Sequence, residues 1–199
     1  MIEATKGLKV LSPEEGDAFL GPVIDQEARD RILDAIEKGR AESKLAYQGA
    51  TPGDGYFVGP TIFTEVKPDA WIAQNEIFGP VLAVIRAKTF SDALDIANNT
   101  EYGLTGGVYS RSPAHIEQAK AEFNVGNVYI NRGITGAMVE RHPFGGFKMS
   151  GAGSKTGGPD YLLNFVEPRV VTENTLRRGF APSEDGDASV SGTTPSAGE

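Results

Sequence analysis

Apolar and polar positions along this chain follow two rhythms, and their succession predicts where helices and strands lie. Ala28, Ile32, Ala35 and Ile36 recur at i, i+4, i+7 and i+8, the spacing of one buried helix face. Asp25 is placed to cap that helix, and Glu27 falls in its first turn, where a carboxylate meets the helix dipole favourably. Gly39 lies near its end, with Arg40 to Lys44 able to prolong it. Tyr56–Val58 and Thr61–Phe63 read as strand segments around Gly59-Pro60; Pro60 has no N–H to donate and belongs at an edge or a bend. Val81–Ile85 is continuously apolar, as expected of a parallel strand covered on both faces. Ser91 then caps a helix bearing Leu94, Ile96 and Ala97 that ends near Tyr102-Gly103. Gly107–Tyr109 is a short strand. Ser112-Pro113 is a cap followed by proline at the first helical position. Ile116, Ala119 and Phe123 mark the buried face of that helix, Gly126 stops it, and Asn127–Asn131 forms the next strand. At the front, Met1–Val10 reads as the end of a helix begun elsewhere, which suggests a piece of something larger.

Strand, helix, strand, helix, strand is the rhythm of an α/β layer with parallel strands. In such sheets ligands bind beyond the carboxyl ends of strands. Beyond Val128-Tyr129-Ile130 lies a long glycine-rich segment, Gly133 to Gly158, interleaved with Phe144, Phe147, Met149 and a Pro143-Phe144-Gly145-Gly146 turn. A flexible linker has no use for buried aromatics, so this reads as an ordered functional loop. Val166–Thr172 reads as a final strand that pairs with another segment or subunit. From Gly179 to Glu199 the composition is Ser, Gly, Thr, Ala, Pro and acids, too polar to order itself. The expected organisation is residues 1–165 as a partial catalytic domain, 166–178 as an oligomerisation strand and 179–199 as a disordered acidic tail.

Composition narrows the chemistry. The 199 residues are 39% hydrophobic with a net charge of −8, which suits a folded domain and argues against nucleic acid as a partner. No apolar run approaches the roughly 20 residues that cross a bilayer, no secretory signal is visible, and the default location is the cytoplasm. There is no cysteine, so a thiolate nucleophile and a thiolate metal site are excluded within these residues. His115 and His142 are far apart and unaccompanied by acidic residues at ligand spacing, so no metal site is expected. Gly151-Ala152-Gly153 lacks the third glycine of a dinucleotide fingerprint.

Two stretches carry a resemblance. Asn75-Glu76-Ile77-Phe78-Gly79-Pro80-Val81 is similar to the E-x-F-G-P motif of the aldehyde dehydrogenase superfamily. Pro143-Phe144-Gly145-Gly146-Phe147-Lys148-Met149-Ser150-Gly151 is similar to its P-F-G-G-x-K-x-S-G motif. The resemblance runs from about Met1 to about Arg178 and is to the C-terminal part of that family. Ala152–Leu162, with Thr135-Gly136-Ala137 upstream, resembles the branch that oxidises L-glutamate γ-semialdehyde, the 1-pyrroline-5-carboxylate dehydrogenases of proline catabolism.

The resemblance implies an α/β aldehyde dehydrogenase fold and NAD as cofactor. It implies that Glu76 accepts hydrogen bonds from the nicotinamide ribose and that Phe78 flanks the nicotinamide. Gly136 and Ala137 would hold the substrate carboxylate through backbone N–H groups, and Phe144 would wall its aliphatic part. No residue here matches the family's cysteine nucleophile or its general base. The chain is therefore expected to be inactive alone, to need the missing N-terminal part of the enzyme, and to join a homo-oligomer when complete. Two other readings stay open: a non-catalytic assembly module, and a fragment of a different aldehyde dehydrogenase branch.

Overall fold

A computed structural model describes residues 1–174 of the chain. The described residues fall into two units, residues 1–164 and the segment that begins at 165. The first opens with a single helical turn and a half, α1 (Ile2–Lys6), followed by a loop in which Val10 bridges Leu20. The helix expected over Met1–Val10 therefore stops at Gly7, and Val10 belongs to a strand-like bridge.

Helix α2 (Gln26–Glu42) begins where its cap requires. The Asp25 carboxylate accepts from the Ala28 N–H at 2.7 Å, and Ile32, Ala35, Ile36 and Gly39 are buried along one face. That face lies on Phe63, Ile72 and Ile77 to form the principal apolar cluster. Each fully buried large side chain there contributes roughly 1.5–3 kcal/mol. Gly39 sits inside the helix because the helix comes so close to its neighbours. A methyl at this position would lie 2.3 Å from the Ile72 Cδ1 and 2.9 Å from the Phe63 Cζ. Alanine is the better helix former by about 1 kcal/mol, but crowding a filled core costs about 1–3 kcal/mol. Phe63 is fully buried and has nowhere to go. Gly39→Ala is expected to destabilise by about 1 kcal/mol in urea unfolding; a gain in stability would show that the core yields.

The strands form two sheets. β1 (Lys44–Gln48) pairs antiparallel with β2 (Thr61–Thr64), and β2 pairs in parallel with β3 (Val81–Ala83), reached through the short helix α3 (Trp71–Gln74). Helix α4 (Phe90–Asn98) leads to β4 (Thr105–Val108), and helix α5 (Pro113–Glu122) to β5 (Asn127–Ile130), which runs parallel to β4. The chain is α/β, but the expected single parallel layer is absent among the described residues: β3 and β4 are not paired, and the first sheet is mixed.

Four details differ from expectation for physical reasons. β1 occupies residues read as a helix extension, because Ser43 breaks α2 and Leu45 and Tyr47 then pair across to Phe63 and Ile62. Tyr56–Val58 forms no strand. The strand closed on both faces is β2, with Ile62 3% and Phe63 0% exposed; β3 is an edge, and its Leu82 is 45% exposed. Helix α4 is capped by Thr89 instead of Ser91, since only Thr89 can form the reciprocal pair with Asp92 three residues on. Ser112 caps α5 as expected, but of its predicted buried face only Ala119 is fully covered.

In the second unit, residues 166–174 form no strand, and Val166, Val170 and Val171 are exposed. Among the described residues this segment has no strand to ladder against, so residues 166–174 of the strand expected over 166–178 are unpaired there. Residues 175–178 and the tail expected to be disordered over 179–199 lie outside the described residues.

Candidate active site

β5 delivers the chain into the glycine-rich loop, and the turn is locked at once. Asn131 takes a left-handed φ of +55°, and its side-chain amide clamps Ser110 from both sides, accepting from its N–H at 2.9 Å and donating to its carbonyl at 3.0 Å. The loop then folds back on itself: Phe144 and Thr156 exchange backbone hydrogen bonds of 2.9 and 3.0 Å. Asn127, at the start of β5, holds the Pro143–Gly145 turn, donating to the Pro143 carbonyl at 3.0 Å and accepting from the Gly145 N–H at 3.3 Å. Lys148 donates to the carbonyls of Asn98 and Thr100 at 2.6 and 2.9 Å, and the Ser150 hydroxyl accepts from the Gly103 N–H at 3.0 Å. A segment with this many specific partners is an ordered loop. Its aromatics are not buried, however: Phe144, Phe147 and Met149 are 38%, 44% and 73% exposed.

The loop encloses a hollow of about 460 Å³ bordered by Thr105, Tyr129, Thr135, Gly136, Ala137 and Phe144. All three residues implied for the substrate thus share one space. Gly136 has φ +84°, a conformation that glycine adopts without strain. Successive backbone N–H groups in such a turn make a concavity suited to an anion, and Phe144 supplies an apolar wall beside it.

Glu76 stands elsewhere, exposed on the rim of a larger hollow of about 710 Å³ under the first turns of α2, together with Arg31, Lys38, Trp71 and Tyr102. The Arg31 guanidinium donates to the Ile77 carbonyl, and Ile77 is buried, so the residue after Glu76 is anchored while Glu76 itself is exposed. Lys38 lies 4.5 Å from the Trp71 ring centroid on the same rim. The hydrogen bond that the Tyr102 phenol donates to Glu101 and then the Glu101 charge, with the Glu76 charge a lesser cause, hold that phenol above its ordinary value. Glu76 also borders a third hollow of about 580 Å³ that reaches Thr105 and Ser150. Thr105 lines both this and the Gly136–Ala137 hollow, so the two are neighbours and not one cavity. Phe78 borders none of the three; it is 80% exposed with φ +55°. A bulky residue held in the left-handed region is an outlier that costs about 1–3 kcal/mol, and Phe78 is no part of the core.

No group of three or more potential metal ligands occurs among the described residues. His115 is exposed on α5 with its ring stacked on Phe90, centroids 4.3 Å apart. Sequence reasoning missed Asn127, Tyr129 and Arg132. Their partners are distant or shaped by the turn itself, and nothing local in the sequence marks them.

The family model for the aldehyde dehydrogenase family matches residues 1–171. The chain belongs to the aldehyde dehydrogenase family. Among its curated relatives, 1-pyrroline-5-carboxylate dehydrogenase of Anoxybacillus flavithermus is 54% identical over 174 residues, covering 87% of this chain and 34% of the relative. 1-Pyrroline-5-carboxylate dehydrogenase 2 of Bacillus subtilis is 50% identical over 175 residues with the same coverage. Of solved structures, that of 1-pyrroline-5-carboxylate dehydrogenase from Thermus with bound NAD superposes with a TM-score of 0.79 at 54% identity, over 83% of this aldehyde dehydrogenase chain and 32% of the Thermus one. The chain spans about a third of the length of the curated relatives it matches.

Proposed function

We propose that this chain forms the substrate-carboxylate and nicotinamide-ribose side of an NAD-dependent L-glutamate γ-semialdehyde dehydrogenase, and that the attacking thiolate comes from polypeptide outside it. The observation that carries this is the meeting of Gly136, Ala137 and Phe144 around one hollow. The similarity to 1-pyrroline-5-carboxylate dehydrogenases over 87% of the chain supports it. Backbone amides of Gly136 and Ala137 hold the α-carboxylate of the substrate and fix which end of the molecule faces the nucleophile. With Ala137 in this turn the anchor uses amides and no hydroxyl. Phe144 packs on the methylenes and excludes water from that side.

The exposed residues on the other side fit the nicotinamide end of NAD. Glu76 is an ionised acceptor on an open rim, suited to two ribose hydroxyls through charge-assisted hydrogen bonds, and Phe78 presents its ring for stacking. When bound, NAD supplies the hydride acceptor. The extended segment 166–172 pairs with a strand of another polypeptide in the assembled enzyme.

Two measurements test this. L-Glutamate, the product, is expected to shift the amide resonances of Gly136 and Ala137 in this chain; an unchanged spectrum at saturating concentration overturns the substrate assignment. In enzyme reassembled with the rest of its polypeptide, Glu76→Ala is expected to raise KM for NAD about tenfold, as loss of charge-assisted hydrogen bonds implies, with KM for the aldehyde held within about twofold. Equal NAD kinetics in variant and parent would remove Glu76 from the site.

A further inference from the structure

We propose that Arg132 determines the substrate specificity of the Gly136–Ala137 hollow, its guanidinium selecting an aldehyde that carries a carboxylate; this rests on the substrate assignment of the proposed function. Backbone amides alone welcome any small acceptor, charged or not. A guanidinium adds a full positive charge and a planar fork that matches a carboxylate.

Arg132 is exposed and does not itself border the hollow, but its guanidinium is held against two residues that do, Thr135 and Tyr129. Arg132 follows the locked Asn131 directly. Its Nη2 donates to the Thr135 carbonyl at 3.2 Å, closing the turn that presents Gly136. A Cβ built on Gly136 would lie 3.8 Å from the same nitrogen. The guanidinium carbon is 5.1 Å from the centroid of the Tyr129 ring, a cation–π seat that fixes its position. Arginine has five N–H donors, so one bond to Thr135 leaves most of them for a ligand. Among the described residues no carboxylate lies within ion-pair distance of Arg132.

A second observation points the same way. Tyr129 is 6% exposed and borders the hollow, yet its hydroxyl has no hydrogen-bond partner among the described residues. Native structures rarely leave such an atom unsatisfied. A buried phenol under an unpaired guanidinium, both beside the proposed anion nest, makes a polar recognition surface larger than the two amides.

The 199-residue chain is titrated with L-glutamate and with 4-aminobutanamide, which carries no carboxylate, while the Gly136 and Ala137 amides are followed by NMR. The unaltered chain is expected to prefer L-glutamate by roughly tenfold or more. Arg132→Gln is expected to lose about tenfold in L-glutamate affinity and to erase that preference, with 4-aminobutanamide affinity unchanged. Arg132→Lys keeps charge without the fork and is expected to fall between. Unmoved Phe144 and Thr156 amides show that the loop is intact in each variant; if Arg132→Gln disrupts it, Arg132→Lys carries the test. Parental affinity and parental preference in an intact variant overturn the role of Arg132 and leave the substrate assignment standing. An unaltered chain that ignores L-glutamate overturns the assignment itself, and Arg132 with it.

Discussion

Mixed with L-glutamate γ-semialdehyde and NAD, this chain alone will form NADH no faster than the blank. The reason is compositional: the 199 residues contain no cysteine. Hydroxyls are present around the hollow, as Thr105 and Thr135, but no base adjoins them to activate one. Deleting the nucleophile of a covalent catalyst costs on the order of a millionfold in kcat, which puts any residual turnover below detection. Polypeptide carrying the thiolate, added in stoichiometric amount, is expected to restore reduction of NAD. Turnover above blank by the chain unaided would mean that residues of this chain do the chemistry themselves, and the proposed division of labour with polypeptide outside it would fall.

The largest single-residue effect is expected at Gly126. A methyl there would lie 1.7 Å from the Gly145 oxygen and 2.7 Å from both the Gly145 carbonyl carbon and the Gly146 Cα. All three obstacles are backbone, so no side chain can swing aside. The loop would have to leave the start of β5, giving up the Asn127 clamp on Pro143 and Gly145 with it. Gly126→Ala is therefore expected to cost about 3 kcal/mol or more and to lower Tm by roughly 10 °C for a domain of this size. It should also abolish the response of Gly136 and Ala137 to L-glutamate. Gly133 is the control: nothing lies within 4 Å of a Cβ built on it, and Gly133→Ala should stay within about 0.5 kcal/mol. A parental melting curve for Gly126→Ala would show that the backbone contact between Gly126 and Gly145 yields.

Local signals were legible where local physics decides. The Asp25 and Ser112 caps, the α2 face and the β5 strand follow from residues within a few positions of one another. What escaped was decided at a distance. β2 is buried and β3 is not because β2 is the middle strand and lies under α2, which no periodicity records. Leu45 and Tyr47 form a strand because Phe63 and Ile62 are there to receive them. Thr89 outcompetes Ser91 through one reciprocal contact with Asp92. The motif residues around the hollow were legible because a family pattern names them. The pairing of Glu76 with a separate rim, the display of Phe78 and the presence of Arg132 and Tyr129 were not, since each depends on how a turn closes. The aromatics of the loop misled for a related cause: an apolar residue in sequence announces burial somewhere, and the covering surface need not lie on the same chain.

The clasps on the glycine-rich loop have a consequence for how binding ability is lost. Asn127, Gly103 and the carbonyls of Asn98 and Thr100 all grip it from earlier, already folded elements. A tract so poor in side chains has little beyond its Phe144–Thr156 bridge to fall back on. Release of those few grips surrenders the whole recess together, so heat or denaturant should leave molecules either fully competent for ligand or blind to it, with no graded decline between.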